Sequence, residues 1–345
     1  MGIILEMHAR SLAIAAAFVQ AASAASTDEH RFASIFRTLT TPGTEITNIG
    51  KLVLAVTGVI FVIVAGLIVF ALVRFRRRGA QDDLEEPPQV YGSTQIEAAW
   101  TVLPILIVFV LFMVTARVVM SVQDVKPPAN ALHATVIGHQ WWWEIRYPDL
   151  GIVTANELNV PQAGADHQAT FLKLQSADVI HSFWIPDLGV KMDVIPNRNN
   201  EWWMDPKETG VYLGACAEYC GTQHANMLIR VVVRSKDEFQ KWAADEKESG
   251  VSDPSVAANR ETFESLSCVN CHAVKGTPAH GTFGPDLTHL MSRDTLASGM
   301  IPNTKENLRA WVKDPQEIKP GCFMPNMQLT DGQLNAVVAY LETLK

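Results

Sequence analysis

The chain reads as a multidomain protein: a two-helix transmembrane hairpin, an all-β sandwich or barrel, and a C-terminal all-α domain. Three observations predict this. Residues 52–73 and 98–116 are apolar runs, each long enough to cross the ~30 Å core of a bilayer as a helix. From Ala131 the pattern changes to short strand-like runs between Pro, Gly and Asn clusters. Beyond residue 257 it is mostly helical.

Residues 1–25 have the layout of a secretory signal peptide. Arg10 precedes the apolar run 12–19, and Ala22-Ser23-Ala24 offers a small-residue cleavage site. A short amphipathic lead-in helix is the alternative, and Met7 is a second candidate start. The hairpin takes residues 40–121. Its first span has Thr57 as the only hydroxyl and no charge, and its second carries Pro104, which membrane helices tolerate. Arg74, Arg76, Arg77 and Arg78 close the first span, so the positive-inside rule puts the connecting loop in the cytoplasm and everything past residue 121 outside. Glu97 sits at the cytoplasmic edge of the second span, where a carboxylate is most often simply interfacial.

The segments 133–138, 169–174 and 228–233 read as short strands of a domain covering 126–246. A polar, small-residue linker follows at 247–257, then the helical domain at 258–345, with Thr330 or Asp331 as the N-cap of its last helix. The net charge of −8 argues against nucleic acid as a partner. Residues 126–250 hold 16 acidic and 11 basic side chains, against 9 and 8 in residues 258–345. The acidic middle domain suits either the steering of a basic protein or an ordinary solvated surface.

Five cysteines stand at 216, 220, 268, 271 and 322, an odd count that a pure disulfide framework explains poorly. Cys216-Ala-Glu218-Tyr-Cys220-Gly-Thr-Gln-His224-Ala-Asn-Met227 places two thiols, an imidazole and a thioether within twelve residues, a set suited to copper. Taken by itself the Cys216 and Cys220 pair fits a disulfide equally well. His181, in Asp178-Val-Ile-His181-Ser-Phe, supplies a second imidazole at the end of another strand-like segment. Two thiolates, two imidazoles, a thioether and a carbonyl would complete two coppers with no position open to substrate, which points to electron transfer.

Cys-x-Glu-x-Cys-Gly-x-x-His-x-x-Met with the upstream Asp-Val-Ile-His-Ser-Phe resembles the dinuclear CuA site of cytochrome c oxidase subunit II. The resemblance implies a cupredoxin-like sandwich with His181, Cys216, Cys220, His224 and Met227 as side-chain copper ligands. It also implies Glu218 as a carbonyl ligand whose carboxylate binds magnesium at the interface with subunit I. Gly138-His-Gln-Trp141-Trp-Trp143 is similar to the family's aromatic stretch, with Trp141 at the position through which electrons arrive from cytochrome c. Ile96-Glu97-Ala-Ala-Trp100-Thr-Val-Leu-Pro104 is similar to the start of its second span, which puts Glu97 at the mouth of a proton path into subunit I. Asn197 departs from the pattern, because the family usually has glycine there; this bears only on the local turn.

Cys268-Val-Asn-Cys271-His272 has haem-attachment spacing: two thioether bonds and a proximal histidine. A zinc knuckle or a redox dithiol would compete, but residues 258–345 hold no second cysteine pair to complete a structural zinc site. Met324, followed by Pro325, is the expected distal ligand, matching the Met-Pro of class I cytochromes. Met327 is the runner-up, with Met291 and Met300 assigned to core or loop. Methionine/histidine ligation keeps the potential high enough for an onward carrier. The segment 258–345 is similar to a small cytochrome c domain over its whole length. Cys322 reads as an inert thiol beside the haem loop, and His8, His30, His133, His139, His167, His280 and His289 show no ligand spacing.

The expectation is a subunit II of a haem-copper oxidase with a fused c-type cytochrome, in a bacterial inner membrane with both redox domains on the outer face. Electrons pass from cytochrome c to haem c, to CuA and on to subunit I, where oxygen is reduced to water and protons are moved. A CuA-bearing nitric oxide reductase subunit and a free-standing tethered carrier are the alternatives. The Glu97 segment and Glu218 speak against the carrier, and copper ligands speak against a quinol-fed subunit.

Overall fold

The computed structural model describes residues 34–76, 89, 91–123, 131–164, 169–250 and 254–345. The expected signal peptide, Arg77, Arg78, His8, His30, His167 and residues 251–253 of the expected linker lie outside them.

Helix α1 (Thr41–Arg74) starts where Thr40 Oγ1 accepts from Gly43 N and Pro42 occupies the first turn. Helix α2 (Thr94–Gln123) keeps Pro104 inside it. Both are apolar and uncovered, with Phe61, Leu67, Leu103 and Phe112 all exposed, as expected of surfaces meant for lipid. Each helix is longer than the apolar run that predicts it, because its outer end packs on the next domain. Thr41 donates to Asp205 through its backbone N at 2.7 Å and its hydroxyl at 2.5 Å. At the end of α2, Val118 and Val122 are buried and Trp203 Nε1 donates to Val122 O at 2.8 Å.

The middle of the chain forms ten strands: β1 (Leu132–His139), β2 (Trp142–Tyr147), β3 (Ile152–Ala155), β4 (Glu157–Pro161), β5 (Thr170–Ser176), β6 (His181–Ile185), β7 (Val190–Val194), β8 (Asn200–Met204), β9 (Gly210–Cys216) and β10 (Leu228–Arg234). They make two five-stranded sheets, ordered β3-β2-β1-β5-β8 and β4-β10-β9-β6-β7, with parallel pairs β1·β5 and β4·β10 among antiparallel ones. This is a sandwich; its apolar core holds Trp143, Ile145, Leu158, Leu172, Leu174, Phe183 and Val231. In β5 the side chains of Thr170, Leu172 and Leu174 are buried in the period of two that a strand with one core face requires. Tyr147, wholly buried, donates its hydroxyl to Asn159 O and accepts from Asn159 N, both at 2.8 Å, tying one sheet to the other. The left-handed turn expected of a glycine is kept at Asn197, with φ 60°, which asparagine tolerates better than most residues. The domain ends on helix α3 (Lys236–Asp245), opened by a reciprocal capping box of Ser235 and Glu238, just past the last strand the sequence predicts.

A 3-10 turn (Pro254–Val256) leads into the C-terminal domain of α4 (Ala257–Ser265), α5 (Cys268–Cys271), the two-residue pair β11 (Thr295–Leu296) and β12 (Ile301–Pro302), α6 (Lys305–Lys313), α7 (Pro315–Ile318) and α8 (Asp331–Leu341). Thr330 caps α8 in a second reciprocal box with Gln333. Phe263, Leu308, Val312, Leu334, Val337 and Tyr340 form its core, with the Phe263 and Tyr340 ring centroids 5.3 Å apart. Ile35–Lys345 forms one compact unit, so the helical domain packs directly on the sandwich.

Candidate metal centre and covalent cofactor pocket

β6 and β9 are antiparallel neighbours with Phe183 opposite Cys216, which brings His181 at the start of one strand beside Cys216 at the end of the other. Cys216 N donates to Met227 O at 2.9 Å and closes the loop 217–227 at its neck, while Ala217 N donates to Ser182 O at 2.9 Å. Inside this loop Cys216 Sγ lies 3.8 Å from Cys220 Sγ, 3.9 Å from His181 Nδ1 and 3.1 Å from Glu218 O. Cys220 Sγ lies 3.6 Å from His224 Nδ1 and 3.8 Å from Met227 Sδ. All six donors expected from the sequence converge, and His181, Cys216, Cys220 and Met227 are buried.

The two thiols behave as a pair. Hydrogen bonding with Cys220 and His181 holds the Cys216 thiol far below its ordinary range, and the hydrogen bond to Cys216, with burial, pushes the Cys220 thiol up. Two thiols, two imidazole nitrogens and a thioether within 4 Å of their neighbours are soft and borderline donors, so this set fits copper. Asp178, three residues before His181, orients that imidazole. Its carboxylate accepts from His181 Nε2 at 2.8 Å and from Gln140 N at 2.6 Å. Burial opposes its charge, but these bonds win and hold it below the usual range. The bond fixes the proton on His181 Nε2 and frees Nδ1 toward Cys216, as a metal-binding histidine requires. Glu218 and Tyr219 are exposed, the latter 76 %. Glu97 is exposed in the first turn of α2, where a negative charge suits the helix N-terminus.

Trp141 is 7 % exposed and donates from Nε1 to Cys220 O at 2.9 Å, beside a bond to the same oxygen from Gln140 Nε2 at 2.8 Å. Gly221 permits this approach, because a Cβ there would sit 3.0 Å from Trp141 Cζ2. On the helical domain, Phe323 meets Trp141 with ring centroids 5.0 Å apart. The tryptophan that the sequence assigns to an outside donor is therefore covered by the chain's own C-terminal domain.

A cavity of about 290 Å³ opens against this tryptophan, lined by Cys268, Cys271, His272, Met324 and Met327, with Trp141 in its wall. Met291 and Met300 do not line it; Cys322 does, half-buried. His272 Nδ1 donates to Pro285 O at 2.7 Å, which leaves Nε2 as the free donor atom, and burial pulls the imidazole down toward its neutral, ligating form. Gly284 gives that ring its place, since a Cβ would lie 2.6 Å from His272 Cε1. Arg293, missed in the sequence, is buried in the cavity wall with Nε lacking a hydrogen-bond partner among the described residues. An apolar cavity with two thiols, a neutral histidine, a thioether and a buried guanidinium whose Nε is unpartnered among the described residues fits a haem.

Several polar contacts join the two domains. Glu157 of β4 accepts from Thr295 N and Oγ1, both at 2.9 Å, and from Asp294 N at 3.1 Å. Ser298 Oγ donates to Trp141 O at 2.7 Å, Leu228 N donates to Ser298 O at 3.2 Å, and Gln223 Nε2 donates to Pro320 O. Lys319, 3 % exposed, donates from Nζ to Trp141 O at 2.8 Å, Asn226 O at 2.9 Å, Ser298 Oγ at 3.0 Å and Ala297 O at 3.3 Å. Desolvation pulls its ammonium down to about 7, opposed by the nearby Cys322 and Cys220 thiols.

Two soft-donor clusters of this kind, on a sandwich and a helical domain, mark an electron-transfer protein, and its two apolar helices are long enough to cross a membrane. Family profiles match in the same order: the cytochrome c oxidase subunit II transmembrane domain over residues 31–118, its periplasmic domain over 132–235, and cytochrome c over 256–345. Among curated relatives, cytochrome c oxidase subunit 2 of Alkalihalophilus pseudofirmus is 34 % identical over 298 residues, covering 84 % of each chain. That of Bacillus sp. (strain PS3) is 36 % identical over 291 residues, covering 79 % of this chain and 80 % of the relative. A crystal structure of the periplasmic domain of subunit II of cytochrome oxidase from Bradyrhizobium japonicum is 33 % identical; it covers 35 % of this chain and 97 % of its own, with a TM-score of 0.33. The chain belongs to the cytochrome c oxidase subunit II family, with a fused C-terminal cytochrome c domain. A nitric oxide reductase subunit and a free-standing carrier are not favoured by these matches.

Proposed function

We propose that the chain is the electron-input subunit of a proton-translocating, oxygen-reducing haem-copper oxidase, passing electrons from its own haem to its copper centre and on to subunit I. When bound, haem and copper supply the one-electron chemistry. The chain's residues hold and orient them. Cys268, Cys271, His272 and Met324 hold the haem, with Met327 as the other methionine in the wall. His181, Cys216, Glu218, Cys220, His224 and Met227 hold the coppers.

One observation carries this reading: Trp141 lines the cofactor cavity with its ring against Phe323 and donates from Nε1 to the carbonyl of Cys220. A single side chain thus bridges the two clusters through one hydrogen bond. Soluble cytochrome c delivers electrons to the C-terminal domain, where Phe283 and Phe323 are exposed beside the cavity. Both redox domains lie on the periplasmic side of a bacterial inner membrane that the two helices cross. Glu218 offers a carboxylate to magnesium at the subunit I contact, and Glu97 stands at the mouth of a proton path.

The test is purification of the tagged chain in mild detergent, with assay of what accompanies it. A large haem-copper subunit and oxygen uptake driven by reduced cytochrome c are the expected results. Purification without that subunit, or consumption of nitric oxide in place of oxygen, would overturn the proposal.

A further inference from the structure

We infer that Lys319 is a positioning residue that locks the C-terminal domain onto the copper loop, so that this chain works as a docked relay rather than as a tethered, swinging donor. The inference rests on the relay reading above. A lysine is among the residues least often buried without a charge partner, and among the described residues no carboxylate makes an ion pair with Lys319. It is held by oxygens from three places instead. Trp141 O comes from the segment between β1 and β2, Asn226 O from the copper loop next to Met227, and Ala297 O and Ser298 Oγ from the β11–β12 turn.

The β11–β12 turn is bent to make this possible. Ala297 at φ 53° and Ser298 at φ 60° are both left-handed, followed by Gly299 at φ 85°. Non-glycine residues hold that conformation at a cost, and two in succession persist only where the surroundings compensate. The compensation is visible here. Ser298 turns its hydroxyl to Trp141 O and its carbonyl to Leu228 N, while Ala297 and Ser298 present two of the four oxygens around Nζ. An ammonium has three donors and no preferred plane, so it can serve oxygens from three segments where a planar guanidinium cannot.

Removing the ammonium takes the side-chain donor from Asn226 O on one side of the domain boundary and Ala297 O on the other, and leaves Trp141 O with Ser298 Oγ alone. By the usual cost of such groups the docking equilibrium falls by about tenfold or more. Trp141 sits under the contact, so the same change loosens the approach of the two clusters.

The experiment compares Lys319→Met, Lys319→Gln and the unaltered chain in the intact detergent-purified oxidase. It reads amide hydrogen exchange at residues 223–228 and 293–299, and the haem-to-copper electron-transfer rate after rapid photoreduction of the haem. We expect exchange at these amides to rise about tenfold and transfer to slow in Lys319→Met. Lys319→Gln, which keeps two donors, falls between. Haem and copper absorption should stay as in the unaltered chain, which separates a docking defect from a damaged site. Exchange and transfer unchanged in both variants would overturn the inference. Should Lys319→Met fail to load both centres, the Gln variant alone decides by the same two readouts. Absence of haem-to-copper transfer in the unaltered chain would instead defeat the relay reading itself.

Discussion

Gly138 offers a sharp way to disturb one proposed copper ligand while leaving the haem domain alone. It lies in β1, opposite Trp143 of β2 and Ser176 of β5, with its open face against the His181 ring. A Cβ in Gly138→Ala would sit 2.7 Å from His181 Cδ2 and 3.0 Å from Cγ, about 0.7 Å short of ordinary contact at 3.4 Å. The ring cannot retreat freely. It is wholly buried, its Nε2 is held by Asp178 at 2.8 Å, and its Nδ1 faces Cys216 at 3.9 Å. Overpacking of this kind costs about 1–3 kcal/mol, and the relief available is a shift of the imidazole relative to the thiols. Disturbing the orientation of a metal-binding histidine lowers metal affinity by roughly 10–100-fold. Copper per chain and the near-infrared copper absorption, measured on purified protein with the haem spectrum as internal control, read the effect. The variant should lose copper or shift its copper band while the haem spectrum is unchanged. A full copper complement with an unshifted band would refute the placement of His181 as a ligand set by this packing.

Tyr147→Phe removes the hydroxyl that serves both the N–H and the C=O of Asn159 inside the sandwich. A loss of about 1–3 kcal/mol in thermal or denaturant unfolding of the sandwich is expected, with both cofactors retained at low temperature. Glu144, buried beside His139 at 3.0 Å and in contact with Arg146, carries a pH signature. Burial raises its carboxyl, but the bonds from His139 and Arg146 outweigh that and hold it below its ordinary value of 4.5. A depressed acid stabilises the fold above 4.5 and loses that contribution as pH falls through its folded value. Melting temperature followed from neutral pH down through the acid range below 4.5 should therefore fall more steeply in the unaltered chain than in Glu144→Gln. Parallel curves would show that the cluster contributes nothing.

The features legible in the sequence are those that composition or short spacing encodes. Two apolar runs announce the helices, because only a continuous apolar face survives in lipid. Both cysteine motifs announce their clusters, because all but His181 and the distal methionine lie within one short loop or one helical turn. Helix α3 could also have been found, since Ser235-x-x-Glu238 is a capping box in plain sequence; the surrounding strand pattern obscured it. Other features depend on distance along the chain. Lys319 meets Trp141 across 178 positions and Glu157 meets Thr295 across 138, and nothing local to either marks a partner. Arg293 reads as one more charged residue until the cavity is formed around it. Asp178 lay within the motif that identified His181, yet its role depends on a hydrogen bond that only the folded strand end creates. The covering of Trp141 by Phe323 is of the same kind. On the proposed relay it makes the chain's own haem domain the neighbour that hands electrons to that tryptophan.

On the proposed relay, electrons cross from the covalent haem to the copper loop within this one chain. Time-resolved absorption of the purified protein, after photoreduction of the haem, tests it directly. Haem reoxidation and reduction of the near-infrared copper band should share one time constant that does not change with protein concentration. Haem reoxidation with a silent copper band, or a rate that grows with concentration, would contradict the account.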